Sequence, residues 1–213
     1  MRWVKQLTEK NENIVPSGQT TQFVVGAAGE TDRDIIHATE ALYSEIGLRR
    51  AYFSAFSPVR NSRLEDVHAA PPIREHRLYQ ADWLFRVYGF KPGELELALN
   101  EKGNFPLAKD PKLTMAQKQP WLFPVDVNKA TYDELLRVPG IGPTSAHRIV
   151  EARRDRSINS VSQLRKMRVV TGRAVPYIWF QGMLEFEKQA SFIPEIADDI
   201  TSQPVPSLAE AFG

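Results

Sequence analysis

The chain contains no cysteine among its 213 residues. Disulfides, thiolate metal sites, cysteine-held iron–sulfur clusters and cysteine nucleophiles are therefore excluded for this chain on its own. The sequence also lacks any run near the ~18 consecutive apolar residues that a membrane-spanning helix needs, and its first residues lead into polar sequence instead of a secretory apolar core. We therefore expect a cytoplasmic protein with no membrane partner.

Recognisable catalytic and metal-binding patterns are also missing. The four histidines share no metal-ligand spacing, and no clustered set of carboxylates accompanies them. The serines near residue 54 stand in no GxSxG motif, the turn that presents the nucleophile of many hydrolases. We therefore predict no metal site and no catalytic residue in this chain.

Charge is distributed unevenly along a chain whose net charge is only +1. Residues 1–127 carry sixteen basic and sixteen acidic residues, whereas residues 128–176 carry ten basic and four acidic ones, a net charge of +6. Residues 177–213 carry one basic and six acidic residues, a net charge of −5. A basic middle segment followed by an acidic end indicates a polyanionic partner for the middle segment.

The N-terminal half begins with a strand, a helix and a second strand. Residues 19–25 and 50–56 are rich in β-branched and aromatic residues, which predicts strands. Between them, Thr31 is expected to cap a helix that ends at Gly47. This order predicts one parallel βαβ unit, the building block of parallel sheets and (β/α) barrels.

Helices and a proline-rich stretch follow. Residues 57–70 predict a loop, residues 72–88 an amphipathic helix and residues 92–100 a shorter helix, and prolines then recur up to Pro124. The predicted fold class is α+β or mostly α: a partial (β/α) barrel-like βαβ unit followed by an all-α domain. The predicted bounds are residues 1–105 for the first part, 106–125 for a connector, 126–190 for the all-α domain and 191–213 for a flexible acidic tail.

The basic segment contains a helix, a glycine-rich turn and a second helix. Asn128 is expected to cap the first helix, Pro139 ends it, and the second helix begins at Gly142-Pro143. Gly140 and Gly142 flank Ile141, so an apolar anchor can enter the core while the glycines expose backbone N–H groups at a helix N-terminus. Such a terminus favours a phosphate, without reading the base sequence.

Hydroxyl and guanidinium groups surround this turn in the sequence. The predicted phosphate-binding residues are Gly140, Ile141, Gly142, Thr144, Ser145, Arg148 and Arg153. Backbone N–H groups do not distinguish RNA from DNA, because they do not contact the 2′-hydroxyl. A plain helix–helix turn, or a contact surface for another protein, is the alternative interpretation of the same residues.

Residues 128–154 resemble the helix-hairpin-helix family of DNA-binding and repair proteins, through Val138-Pro139-Gly140-Ile141-Gly142-Pro143 and the apolar residues Ala146 and Ile149. The resemblance implies a DNA-binding domain in residues 126–190 and favours DNA over RNA. Thr144 stands where the family often has lysine or arginine. Residues 169–174 occupy the place of a second hairpin with one glycine, which we interpret as structural.

The two predicted strand ends resemble the late strands of a radical S-adenosylmethionine barrel, where a strand ending in a Gly-x-x-Gly-Glu turn precedes a helix and a strand ending in a Ser-Pro loop. With the C-terminal helix-hairpin-helix, the chain resembles the DNA modification or repair branch of those proteins. The resemblance implies that residues from both strand ends are remnants of an S-adenosylmethionine pocket: Gly26, Gly29, Glu30, Ser54, Phe56 and Pro58. An ordinary strand-to-helix turn is the alternative for Gly26–Gly29.

The part of that family that holds the cluster, with its CxxxCxxC loop, has no counterpart in this chain. The chain is therefore not a radical S-adenosylmethionine enzyme on its own. S-adenosylmethionine and a [4Fe–4S] cluster are expected only if a partner chain completes the barrel, and a partial barrel leaves a sheet edge that a protein partner is expected to cover.

Three functions remain open at this point. The first is a non-catalytic, sequence-independent DNA-binding protein. The second is the C-terminal half of a split radical S-adenosylmethionine enzyme, and the third is a structural subunit of a nucleoprotein assembly. The acidic tail is expected either to shield the basic hairpin or to dock a partner through Leu208, Ala211 and Phe212.

Overall fold

A computed structural model describes residues 1–10 and 17–181. The chain divides into two compact units, the first spanning Met1–Pro120 and the second beginning at Trp121. The predicted acidic tail, with its proposed docking residues, lies outside the described residues.

The first unit combines a small parallel sheet with helices. Its elements are α1 (Arg2–Lys10), β1 (Thr20–Val25), α2 (Asp32–Ala41) with a π-helical turn (Leu42–Ile46), β2 (Arg50–Ala55), α3 (Pro72–Arg86), α4 (Pro92–Glu96) and α5 (Pro111–Lys118). The predicted strands and helices are present with ends that differ by one to four residues, and α1 was not predicted.

The predicted strand–helix–strand unit is confirmed. Strands β1 and β2 pair in parallel over their whole length, from Thr20 opposite Arg50 to Val25 opposite Ala55. Thr31 caps α2 as expected, in a capping box with Asp34, and Gly47 ends the helix with a φ of 69°. Both carboxyl ends of the strands therefore lie at one edge of the sheet.

The two faces of this sheet differ in burial. Phe23, Val25 and Phe53 belong to the face that packs into the hydrophobic core of the first unit, with Leu78 of α3. Val24 and Tyr52 belong to the opposite face and are exposed. Within residues 1–10 and 17–181 no third strand joins β1 and β2, so the predicted barrel-like unit is not shown beyond this βαβ unit.

The stretch predicted as a connector is part of the first unit. Residues 111–118 form α5, because Asp110 caps it by accepting a hydrogen bond from the Leu113 N–H and Pro111 occupies the first helical position. Met115 and Ala116 of this helix are buried. The prolines thus begin helices here instead of marking a bare linker.

The second unit is mainly helical. Its elements are β3 (Val125–Asp126), α6 (Tyr132–Arg137), α7 (Pro143–Asp155), α8 (Val161–Lys166), α9 (Thr171–Ala174), a 3₁₀ turn (Val175–Tyr177) and β4 (Ile178–Trp179). Strands β3 and β4 pair in parallel over two residues, so the prediction of an all-α domain needs this small correction. Leu135, Ile149 and Leu164, one from each of three helices, are fully buried.

The first helix of the hairpin begins later than predicted. Thr131, not Asn128, is its N-cap, and a capping box with Glu134 stabilises the start of α6. The Asn128 side chain instead accepts a hydrogen bond from the Ile158 N–H at 2.7 Å and donates one to the Ile158 carbonyl at 2.8 Å. It therefore joins the entrance of α6 to the loop after α7.

Candidate nucleic-acid interface

A tight turn joins α6 to α7. Val138 follows α6 in an extended conformation, and Gly140 adopts a φ of +84°. Ile141 is only 1% exposed, which fits its predicted role as the apolar anchor. Gly142 is the N-cap of α7 and Pro143 is its first residue, as the sequence predicted.

Gly140 is also a close packing contact. A Cβ atom at this position would lie 2.5 Å from the Val170 carbonyl oxygen and 3.1 Å from the Ala174 nitrogen. The Val170 N–H donates a hydrogen bond to the Gly140 carbonyl at 2.9 Å. The glycine therefore lets the hairpin rest directly on the backbone of the turn between α8 and α9.

The N-terminus of α7 has no capping side chain. Its N-cap is Gly142, which has no side chain to accept a hydrogen bond from the first-turn amides. Thr144, in that first turn, is exposed. With a helix of 13 residues behind it, this end carries the partial positive charge and the N–H groups that bind an anion.

Three arginines lie along α7 and at its C-terminal end. Arg148 is half-buried, and Arg154 and Arg156 are exposed. None of the three makes an ion pair with a carboxylate in residues 1–10 and 17–181. The charges of these three arginines are therefore available to an external polyanion.

Two predicted phosphate-binding residues make hydrogen bonds within the second unit. Ser145 is 4% exposed and its hydroxyl donates a hydrogen bond to the Arg168 carbonyl at 2.8 Å. Arg153 donates to the Val127 carbonyl at 2.9 Å. The Ser145 hydroxyl faces the domain interior because it lies on the same side of α7 as Ile149, four residues later, and the phosphate contacts of Ser145 and Arg153 stay predictions.

A second hairpin joins α8 to α9. Arg168 has a positive φ of 64°, and Gly140, at the equivalent point of the first hairpin, also has a positive φ, of 84°; Val169 is buried like Ile141. Val170 is the N-cap of α9, a helix of only four residues. This hairpin supports the first through the contacts of Gly140 and Ser145, in agreement with the structural role that we predicted.

The N-terminal candidate residues lie together at the carboxyl edge of the sheet. The Glu30 carboxylate accepts hydrogen bonds from the N–H groups of Gly26 and Ala28, within its own turn. Burial raises the pKa of Glu30, but these backbone N–H groups and the Arg74 charge outweigh it, so the pKa lies below its ordinary value. The carboxylate closes the strand-to-helix turn.

The other residues of this edge are also engaged or occupied by packing. The Ser54 hydroxyl accepts a hydrogen bond from Gln22, and Phe56 is buried, whereas Gly29 and Pro58 are exposed. A Cβ atom at Gly26 would lie 2.8 Å from the Cβ of Ala70. The fold therefore brings these candidate residues to one end of the sheet, where Gly26 packs closely against Ala70.

Sequence reasoning missed a groove in the second unit. It has a volume of about 400 Å³ and runs from Leu122 to Arg137, beside the hairpin. Trp121, which is 73% exposed, precedes the groove residue Leu122 in the chain. Trp179, which is 45% exposed, pairs with the groove residue Asp126 between β3 and β4. Two tryptophans left in solvent were the available signal, because exposed aromatics often mark binding surfaces.

Residues 124–175, about a quarter of the chain, match the family described as the helix-hairpin-helix motif. No curated protein matches the chain, and no solved structure does. The motif supports nucleic-acid binding by the second unit. The resemblance of the first unit to radical S-adenosylmethionine proteins stays a prediction, because no family model of that kind matches. None of the helices in the described ranges is long and apolar enough to cross a membrane.

Proposed function

We propose that this chain binds the phosphate backbone of DNA without regard to base sequence, through the hairpin between α6 and α7. The observation that carries the proposal is the first turn of α7, which Gly142 leaves without a capping side chain while Arg148, Arg154 and Arg156 lack carboxylate partners in the described ranges. A phosphate oxygen supplies the missing acceptor and the counter-charge together.

Thr144 is the residue at which we place the phosphate contact. Its backbone N–H and hydroxyl lie in the first turn of α7, and Arg148 follows one helical turn later on the same face. A phosphate bound at the helix terminus therefore has a guanidinium within one turn. DNA is the proposed polymer because the match is to a motif typical of DNA-binding proteins, while the backbone contacts themselves suit RNA equally.

The test places charge at Thr144. In Thr144→Glu a carboxylate stands at the second helical position, where it favours the helix dipole but repels a phosphate. We expect roughly tenfold weaker binding to a mixed-sequence duplex with unchanged or higher stability, and tighter binding for Thr144→Lys. Fluorescence anisotropy measures the affinity, and a parallel titration with duplex RNA measures the polymer preference.

Ser162→Glu is the matched control. Ser162 is exposed and occupies the second position of α8, so the substitution adds the same charge at the same helical position away from the hairpin. Equal losses of duplex affinity for Thr144→Glu and Ser162→Glu would mean that the effect comes from the net charge alone. That result would contradict a contact at the hairpin.

A second proposal concerns the first unit. Its sheet has a face on which Val24 and Tyr52 are exposed, and no strand in the described ranges pairs with the outer edges of β1 and β2. We propose that a protein partner covers this face, either as a structural subunit of a nucleoprotein assembly or as a chain that completes a radical S-adenosylmethionine barrel. S-adenosylmethionine and a [4Fe–4S] cluster would enter only with a chain of the second kind.

Light scattering after size exclusion tests whether the partner is a second copy of the chain. If it is, the complex should dissociate on Val24→Lys, since a charge on this face opposes burial. A neighbouring reading frame with a CxxxCxxC motif would identify a barrel-completing chain, and its co-purification with this chain would support that form of the proposal. A stable monomer that binds no product of a neighbouring reading frame contradicts the proposal.

A further inference from the structure

The groove beside the hairpin has an apolar floor. Phe123, Pro124 and Val125 line it on one side and Ala130 lines it on the other, within a volume of about 400 Å³. The Phe123 ring is held in place by an edge-to-face contact with Tyr177, with the ring centroids 5.1 Å apart. Packing therefore fixes the floor, and the volume of the groove lies within the range of small-molecule sites.

Two exposed tryptophans are neighbours of residues that line the groove, one along the chain and one across the β3–β4 pair. Trp121 directly precedes Leu122, which lines the groove, and is 73% exposed. Trp179 pairs with Asp126 in the β3–β4 register, and parallel register partners present their side chains on one face of the sheet. Asp126 lines the groove, and Trp179, which is 45% exposed, lies opposite it on the neighbouring strand.

The carboxylates of the groove are already engaged by local partners. Asp126 accepts a hydrogen bond from the Asn128 N–H at 2.9 Å and lies 3.7 Å from the Lys129 ammonium. Glu134 accepts from the Thr131 N–H at 2.7 Å and from its hydroxyl at 2.9 Å. The Lys129 ammonium offsets part of the negative charge of Asp126, whereas the hydrogen bonds to Glu134 leave that carboxylate ionised, and Arg137 brings a second positive charge to the lining.

The groove continues to the hairpin. Glu134 and Arg137 lie about one turn apart on one face of α6, and Arg137 is the residue before Val138, where the turn begins. In an extended nucleic-acid strand, the distance between consecutive nucleotides is similar to the length of one α-helical turn. A strand held at the hairpin therefore reaches the groove within a few nucleotides.

We propose that this groove binds unpaired bases of a nucleic acid whose backbone the hairpin holds, with Trp121 and Trp179 as stacking surfaces. The inference rests on the proposed function of the hairpin and specifies its substrate as DNA with a single-stranded extension. An aromatic side chain stacks on any base, so this contact, like the hairpin, is independent of sequence. A blunt duplex presents no unpaired base and engages the hairpin alone.

The experiment compares a blunt mixed-sequence duplex with the same duplex carrying a single-stranded thymidine extension, using the full chain. We expect Trp121→Ala and Trp179→Ala to lower affinity for the extended duplex about tenfold and to leave affinity for the blunt duplex within about twofold. Trp121→Phe and Trp179→Phe are expected to keep most of the affinity for the extended duplex, because phenylalanine also stacks on bases. Trp3→Ala in the first unit, where Trp3 is 71% exposed, is the matched control and is expected to change neither affinity.

A fluorescence measurement gives an independent readout. The chain has four tryptophans, so Trp3→Phe with Trp83→Phe leaves emission from Trp121 and Trp179 alone. We expect the extended duplex to quench this emission and the blunt duplex to leave it nearly unchanged.

Each outcome separates the two proposals. Equal losses on both duplexes, or unchanged affinity and emission with the extended duplex, would overturn the groove as a base site while leaving the hairpin function in place. Failure of the unaltered chain to bind either duplex would overturn both.

Discussion

At Gly140 the backbone conformation and the packing both require the absence of a side chain. Its φ of +84° lies in the left-handed region, and a Cβ would approach the Val170 carbonyl oxygen to 2.5 Å. The sequence motif pointed to the first requirement. The second depends on the neighbouring hairpin and could not be read from local sequence.

Gly140→Ala is therefore expected to destabilise the second unit by about 2–4 kcal/mol, from the left-handed conformation and the forced shift of the turn. Urea unfolding measures this loss. Gly172→Ala is the control, since a Cβ there meets nothing within 4 Å, and it is expected to change the free energy of unfolding by less than about 1 kcal/mol. Equal effects of the two substitutions would contradict the close packing at Gly140.

Glu134 couples the start of α6 to pH. Hydrogen bonds from the Thr131 backbone and side chain lower the pKa of Glu134 below its ordinary value of 4.5. A carboxyl whose pKa is lower in the folded state stabilises the fold above the ordinary pKa and loses this contribution as the pH falls through the folded-state pKa. The capping box should therefore weaken under acid conditions.

Glu134→Gln tests this dependence, because glutamine keeps a neutral capping interaction without the titrating group. We expect the variant to lose less stability than the unaltered chain between pH 7 and pH 3, as measured by urea unfolding at both pH values. Asp133→Asn, one residue away, is the control. An identical pH dependence for the unaltered chain and Glu134→Gln would rule out this contribution.

Among the elements, the start of α6 shows where local sequence was insufficient. Asn128 and Thr131 are both common N-cap residues, and the prediction of Asn128 from its residue type was wrong. The capping box with Glu134 selected Thr131, and Asn128 took a role 30 residues distant, at Ile158. The same limit applied to Ser145, whose residue type suits a phosphate but whose side of α7 faces the interior.

We expect Asn128→Ala to destabilise the second unit by about 1–3 kcal/mol, because it removes two hydrogen bonds to the backbone of the buried Ile158. Asn159→Ala is the control, since Asn159 is exposed and its side chain makes no hydrogen bond within the described part of the chain. Thermal unfolding compares the two variants. No difference between them would mean that Asn128 does not join α6 to the loop after α7.

Predictability also differed between elements of the two units. The βαβ unit followed from residue composition and the caps at Thr31 and Gly47, and the hairpin followed from its glycines and Pro143. Helix α1 was missed, and the two-residue strands β3 and β4 were missed because a pair this short has no sequence period of its own. The groove was missed with them, since β3 forms part of its floor.

For the whole molecule, charge separation along the chain carries the functional argument. The basic residues between 128 and 176 coincide with the hairpin domain, and Arg148, one turn beyond the uncapped start of α7, has no carboxylate partner among the described residues. Composition averages hide this arrangement. Dividing the chain into segments predicted it, whereas the roles of Ser145 and Arg153 required coordinates.

The salt dependence of duplex binding by the full chain tests the central claim most directly. If the hairpin and its arginines contact about four phosphates, affinity should fall roughly 100-fold between 50 and 200 mM salt, equally for two duplexes of unrelated sequence. Thr144→Glu should bind more weakly with a shallower salt dependence. An affinity that is insensitive to salt, that differs between the two sequences, or that keeps the same salt dependence in Thr144→Glu would contradict backbone binding at the hairpin.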